Sequence, residues 1–159
     1  MKKVLIAATA MLVAAPAAAQ VMAPAEYVKT AGASDLYERQ SSELVLQTTT
    51  DPRIREYAQM MIADHTKSTA DVKAAALRSK VRPAPPMLMP LQTELVAQLR
   101  AEQGPARDRL YVAQQKASHN QALAVQQAYA AEGTAVPLRA AAATIVPVVQ
   151  HHVEMLKAM

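Results

Sequence analysis

Apolar positions recur along the chain at intervals of three, four and seven residues, which is the spacing of one face of an α-helix. One such face consists of Ile54, Ala58, Met61, His65, Thr69, Val72 and Ala76. Another consists of Ala141, Ile145, Val148, His152, Leu156 and Met159. The chain has only three glycines and no long run of alternating apolar and polar residues. The pattern therefore predicts an all-α protein.

Prolines and glycines divide this pattern into four long helices. We predict helices at about 24–49, 52–80 and 105–133, and a fourth at about 137–159. Pro147 lies inside the last helix. It should kink that helix, because proline lacks the N–H that the helix needs and crowds the preceding turn.

The connections between these helices differ in length. Asp51 and Pro52 have the residue types of an N-cap and a first helical turn, so the loop before them is short. The loop between the last two helices is also short, and each pair should form an antiparallel hairpin. The segment 81–90 holds four prolines and cannot be helical. A short helix at 91–102, ended by Gly104, completes this longer connection.

Two hairpins joined by one long connection form the arrangement of ferritin-like folds. The predicted fold is thus all-α: a ferritin-like four-helix bundle whose long connection between the second and third long helices carries a short extra helix. Such a connection can cross the bundle and make those two helices parallel. The sequence leaves their relative direction open.

Residues 1–19 have the pattern of a signal peptide, with a positively charged start, an apolar stretch over 4–13 and a run of alanines at the end. We expect cleavage near Ala19–Gln20, which leaves a single four-helix bundle domain at 20–159. The alternative is a membrane anchor, for which the apolar stretch is short and rich in alanine. No later segment is apolar enough to span a bilayer. The expected location is therefore the periplasm or the exterior of the cell.

The composition removes several classes of function. Without cysteine, the chain has no disulfide, no thiolate metal site and no thiol nucleophile. Two of its 17 basic residues are Lys2 and Lys3 of the signal, and the remaining 15 face 13 acidic residues. This near balance, together with the absence of Trp and Phe, argues against a nucleic-acid partner. No feature indicates a particular protein partner.

Four polar residues are candidates for a site in the bundle core. His65 and His152 interrupt the two apolar faces described above, whereas Glu38 and His119 lie on mixed faces. Each residue is about 13 to 16 positions from the turn of its hairpin, so at about 1.5 Å per residue all four lie near mid-bundle. We predict that these side chains converge, one from each long helix.

One carboxylate and three imidazoles suit a single Mn, Fe or Zn ion. No carboxylate stands three positions before any of these histidines, so the dinuclear ferritin centre with its Glu-x-x-His motifs is not predicted. A redox metal with an open coordination position would suit peroxide or superoxide. The alternative is a non-enzymatic envelope scaffold or partner-binding protein whose core histidines are structural. No catalytic residue is indicated, and enzymatic activity is left open.

Two further stretches bear on the family of the chain. Residues 57–65 read Tyr-Ala-Gln-Met-Met-Ile-Ala-Asp-His. In the third long helix, Asp108 and Tyr111 precede His119.

In the other two long helices, Glu38 stands in the middle of the first, and Pro147 precedes His152 by five positions in the last. Together these features resemble the domain of unknown function "four-one-four-two" family, whose members are often labelled predicted outer membrane proteins. The resemblance extends over about 27–156. It implies a ferritin-like helical bundle and a secreted location, and it implies no activity.

The resemblance also selects between neighbouring candidates. It favours Glu38 over Glu43 in the first helix and His152 over His151 in the last.

Two further features of the sequence are possible metal ligands. Met87 and Met89 in the connector are thioether ligands that suit Cu(I), although methionines there are more simply explained by filling gaps against the bundle. Asp64 lies beside His65 but off its face, so we expect a cap or a surface charge rather than a ligand.

Overall fold

The computed structural model describes residues 21–159, and the predicted signal peptide therefore lies outside the described residues. Within that range the chain is all-helical and has no strand, which confirms the predicted fold class. None of these helices combines the length and the apolar character that crossing a bilayer requires. The helices are α1 (Pro24–Leu46), α2 (Pro52–Arg78), α3 (Pro90–Ala101), α4 (Gly104–Glu132) and α5 (Val136–Lys157).

In the connection between α1 and α2, the start of α2 agrees with the prediction and the end of α1 does not. The Asp51 carboxylate caps α2 by accepting from the Arg53 N–H at 2.8 Å. Helix α1 ends at Leu46 rather than near Thr49. Threonines disfavour the helix interior, and their hydroxyls find other partners: the Thr49 hydroxyl donates to Asp108 at 3.0 Å.

The end of α2 is a Schellman motif built without glycine. The Lys80 N–H donates to the Leu77 carbonyl at 3.1 Å, and the Val81 N–H donates to the Ala76 carbonyl at 2.9 Å. This geometry requires a left-handed residue, and Lys80 supplies it with φ of 58°. Helix α2 thus ends at Arg78, two residues earlier than predicted.

Contacts at the two ends of α1 settle the direction of the long connection. At its C-terminal end, the Leu44 carbonyl accepts from Arg107, in the first turn of α4, at 2.7 Å. At its N-terminal end, the ring of Tyr27 stacks on Tyr129, near the end of α4, at 3.8 Å between centroids. Helices α1 and α4 are therefore antiparallel, and α2 and α4 are parallel. The connection crosses the length of the bundle, as ferritin-like topology requires.

The connection itself is anchored by α3. This helix begins at Pro90, one residue before the predicted start, and packs against α1 and α4. Its Leu99 is fully buried, and its Leu95 carbonyl accepts from the Gln114 amide at 3.2 Å. Gly104 then begins α4 with φ of 50°, a conformation that favours glycine.

Helix α5 continues through Pro147. The proline has no N–H to offer the Ala143 carbonyl. The predicted kink itself stays a prediction.

The core consists of two apolar clusters with a polar layer between them. The cluster toward the start of α1 contains Tyr27, Ala31, Val72, Ala75, Ala76, Tyr129, Leu138, Ala141, Ala142, Ile145 and Val149. The opposite cluster contains Val45, Ile54, Tyr57, Ala58, Met61, Leu99, Tyr111 and Leu156. On every long helix the predicted site residue falls between the members of the two clusters. The polar layer is therefore enclosed above and below by packed apolar side chains.

The left-handed Lys80 generates a stability prediction. Replacing Lys80 with glycine should raise the free energy of unfolding by about 1 kcal/mol, because the left-handed conformation costs a residue with a Cβ about that much. Urea unfolding of the metal-free protein measures the change. Arg78→Gly, two positions earlier in regular helix, should have the opposite sign. A Lys80→Gly variant as destabilised as Arg78→Gly would contradict the role of this φ angle.

Candidate metal centre

Three histidines from three helices meet in the polar layer. His65 on α2, His119 on α4 and His152 on α5 each present one ring nitrogen, and these nitrogens lie within 4.8 Å of one another. The ring centroids are 5.3 to 5.7 Å apart. No more than 5% of the surface of any of the three residues is exposed. The structure thus brings these three histidines together, as predicted.

His65 is held from behind by a carboxylate. Its Nδ1 lies 2.8 Å from Asp35 Oδ1, and both side chains are buried. The second oxygen of Asp35 accepts from the Thr69 hydroxyl at 3.0 Å. Since a carboxylate can only accept, Nδ1 carries the proton in the neutral ring and the lone pair is on Nε2.

The other two rings are held in the same way. His152 donates from Nε2 to Asp64 Oδ2 at 2.9 Å, which leaves the lone pair on Nδ1. His119 donates from Nδ1 to the Gln115 carbonyl at 3.1 Å, which leaves the lone pair on Nε2. Each histidine therefore has one nitrogen fixed by a hydrogen bond and one free to act as a ligand.

The three free nitrogens are His65 Nε2, His119 Nε2 and His152 Nδ1. All three are buried and have no hydrogen-bond partner among the described residues. A buried polar atom without a partner costs about 1–3 kcal/mol. Three such atoms on converging rings, each ring oriented by an acceptor behind it, have the pattern of metal-binding histidines, in which the outer hydrogen bond fixes the tautomer and raises the basicity of the ligand.

Glu38 lies beside this group rather than within it. Its Oε1 is 3.8 Å from His119 Nδ1, the nitrogen that also bonds to Gln115, and the residue is 1% exposed. Neither carboxylate oxygen has a hydrogen-bond partner among residues 21–159. A buried carboxylate in this situation is costly unless a cation neutralises it. The ligand role predicted for Glu38 stays a prediction, and the observed position is that of a counter-charge next to the three rings.

Burial and charge act differently on the three rings. Burial lowers the pKa of His119, and the charge of His65 acts in the same direction. Burial also lowers the pKa of His152, to about 4, against the hydrogen bond to Asp64. Burial would lower the pKa of His65 as well, but the hydrogen bond to Asp35 and the charges of Glu38, Asp35 and Asp64 raise it on balance. The side of the cluster around His65 is thus electrostatically negative and favours a cation.

An aromatic shell closes the layer toward the Leu156 end. The ring of Tyr57 lies 6.3 Å from His119, from His152 and from Tyr111. The Tyr111 hydroxyl bonds to Ser42 at 2.8 Å. Burial raises the pKa of Tyr57, so its phenol is neutral.

The helical periodicity of the sequence does not indicate the acceptors behind the rings. Asp64 was expected as a cap or surface charge, but its carboxylate reaches across to His152 on α5. Asp35 shares the face of Glu38, and this placement is the one sequence signal that could have indicated it.

The two connector methionines lie against two different cavities. Met87 is 77% exposed and borders a cavity beside the Pro-rich segment, whereas Met89 borders another cavity under α3. The copper interpretation stays a prediction.

The comparisons with known proteins agree with this architecture. A family described as a domain of unknown function, DUF4142, matches residues 9–159. The chain belongs to this family, and the resemblance stated from its motifs is confirmed. A DUF305 protein of known crystal structure, from Streptomyces coelicolor, is similar in fold. It is 12% identical with a TM-score of 0.65, over 86% of this chain and 90% of that one. No match was found among curated proteins.

The lowered pKa of His152 predicts a pH dependence of stability. In the unfolded chain this ring binds a proton near its ordinary pKa of 6.5, whereas in the folded chain it does so only near 4. The unfolded state therefore takes up the proton first, and the metal-free protein should lose stability as the pH falls from about 6.5 to about 4. The lowered pKa of His119 adds to this loss, whereas the raised pKa of His65 acts only above pH 6.5, where its stabilising contribution is lost as the pH rises.

A His152→Gln variant tests this prediction. The slope of unfolding free energy against pH between 4 and 6.5 should decrease, by up to about 1.4 kcal/mol per pH unit for one proton. Urea unfolding in metal-free buffer at several pH values gives the slope. The exposed neighbour His151 supplies the control, since His151→Gln should leave the slope unchanged. Equal slopes in all three proteins would contradict the assignment.

Proposed function

We propose that this protein binds one divalent transition-metal ion in the middle of its bundle through His65 Nε2, His119 Nε2 and His152 Nδ1. The observation that carries the proposal is a group of three buried histidines that each bring one ring nitrogen within 4.8 Å of the others, while each ring has one nitrogen hydrogen-bonded and one buried nitrogen without a partner among the described residues. A purely structural histidine in a core normally has both nitrogens satisfied.

The surrounding charges support a cation at that point. Asp35 and Asp64 lie behind two of the rings, and Glu38 lies beside the third with both oxygens unpartnered. A bound dication would neutralise the carboxylates of Asp35 and Glu38, which are otherwise buried at a cost. Glu38 then acts as the counter-charge of the site.

The types of ligand atom limit the choice of metal ion without identifying a single one. Three imidazoles with carboxylates nearby and no thiolate suit Zn, Fe(II) or Mn. The absence of cysteine from the chain removes the soft thiolate sites.

The proposed location is the periplasm or the exterior of the cell. It rests on the signal-peptide pattern of residues 1–19 in the sequence. We propose that the bundle domain is released there after cleavage near Ala19–Gln20. The expected sign is a mature N-terminus at Gln20 in protein recovered from the envelope.

Metal content is the direct test. Protein purified without a histidine tag should contain about one Mn, Fe or Zn per chain, or take up one on incubation with the ion. His65→Ala and His152→Ala should lose the metal, because each removes one of three ligands. His151→Ala is the matched control, since this neighbouring ring is exposed, and it should retain the metal.

The alternative outcome has a definite meaning. If the wild type binds none of the ions and the two core variants lose only stability, the histidines are a structural network. The protein would then be a scaffold or partner-binding bundle. Circular dichroism of every variant separates loss of metal from loss of fold.

The acceptors behind the rings generate a second prediction. Asp35→Asn and Asp64→Asn should weaken metal binding by about 10–100-fold, because these carboxylates orient the rings and raise their basicity. Competition with a chromophoric chelator measures the affinity. Asp71→Asn, on α2 and paired with Lys67 at the surface, should bind like the wild type. Unchanged affinity in both Asp35 and Asp64 variants would remove the carboxylates from the site.

A further inference from the structure

A cavity reaches the histidine cluster from one side of the bundle. It has a volume of about 110 Å³ and lies between α2 and α5. His65 and His152 form part of its wall, together with Asp64, Ser68, Val148 and Val149. Val148 is 39% exposed, so it marks the mouth of the cavity, whereas the two histidines mark its inner end. Two of the three converging histidines are thus among the residues that line this cavity.

Glu38 approaches the cluster from the opposite side. The four long helices are arranged so that α1 packs against α2 and α4, while α5 packs against α4 and α2. The α1–α4 side of the bundle therefore faces away from the α2–α5 side. Glu38 on α1 lies nearest to the Nδ1 of His119 on α4, behind the ring rather than in front of its free nitrogen. On the α2–α5 side, the Asp64 carboxylate is bonded to His152 Nε2, and among the described residues the group of converging ligand atoms contains only the three histidines.

The size of the cavity limits what can enter it. A water molecule occupies about 30 Å³ in the liquid, so the cavity holds about three or four waters. Pockets for metabolites and larger ligands measure about 300–1,000 Å³. A sugar or a nucleotide is larger than this volume. A molecule of two or three heavy atoms fits.

The wall of the cavity also contains a hydroxyl group that is available for a hydrogen bond. The Ser68 hydroxyl is buried and has no hydrogen-bond partner in the described part of the chain. Such an atom is costly when left unsatisfied, and a hydroxyl can either donate or accept. It is therefore able to hydrogen-bond to a small polar molecule lodged beside the rings.

We propose that the metal ion has three protein ligands and one exchangeable coordination position facing this cavity, where a small oxygen- or nitrogen-donor molecule of two or three heavy atoms binds. The inference rests on the proposed metal binding. It makes the site one of the open type, with three protein ligands and a fourth position for water or substrate, rather than a closed structural site. Ser68 is a positioning residue for the bound molecule.

The experiment uses the protein loaded with Co(II), whose visible absorption depends on the number and geometry of its ligands. Cobalt content is measured first, and sodium azide, a three-atom donor, is then titrated into the loaded protein. The wild type should show a saturable change in the absorption bands. Val148→Trp, which covers the mouth, and Ser68→Leu, which fills the cavity from α2, should each bind azide about tenfold more weakly at unchanged cobalt content.

Val136→Trp supplies the matched control. It places the same substitution at an exposed valine of α5 far from the cavity, and it should bind azide like the wild type. Azide without effect on any cobalt-loaded protein would overturn the inference, since it would mean a closed coordination sphere. Equal azide affinity in wild type, Val148→Trp and Ser68→Leu would overturn the route through the cavity. Failure of the wild type to bind cobalt or any other ion would overturn the metal site itself, and this inference with it.

Discussion

Polar atoms enclosed between two apolar clusters are the constraint on which this bundle depends. Above and below the histidine layer the helices pack through tyrosine, alanine and aliphatic side chains, which offer no hydrogen-bond partner to a ring nitrogen. The rings therefore depend on the few polar groups of the layer itself. Asp35, Asp64 and the Gln115 carbonyl supply one partner per ring. The remaining nitrogen of each ring is buried without a partner among the described residues, so the cost of leaving it unsatisfied falls on three neighbouring rings, where a cation would relieve it.

The helical framework positions this layer by simple means. Four antiparallel neighbours put the midpoints of the long helices at one level, and a crossing connection lets α2 and α4 run in the same direction. The connection needs prolines to stay out of helix and α3 to be anchored against α1 and α4. The three rings are attached to α2, α4 and α5 and not to the connector.

Much of this could be predicted from the sequence, and the limits are physical. The 3.6-residue period places His65 and His152 on apolar stripes, and a rise of about 1.5 Å per residue brings both to the level of His119. The same period does not reveal which way a side chain turns once it leaves its helix. Asp64 points away from the stripe of His65 and so appeared unrelated to the core, yet its carboxylate meets a ring of a different helix. Glu38 was at the right level, but its contact with the far nitrogen of His119 depends on the rotation of α1 about its own axis. Helix ends such as Leu46 depend on competing hydroxyl hydrogen bonds, which periodicity does not include.

The order of the ring-bearing helices along the chain has a consequence for how the protein is assembled. About 50 residues separate His65 from His119, and about 30 separate His119 from His152, so an ion held by all three rings closes two long loops of a chain that has no cysteine. In the folded protein it would take the place that disulfides occupy in small secreted domains, a cross-link whose entropic effect grows with the length of the loops it closes. Because the third ring belongs to α5, which follows α2 and α4 along the chain, all three rings could hold an ion only once α5 has been synthesised. A chain truncated before α5 would have the other two rings but no centre.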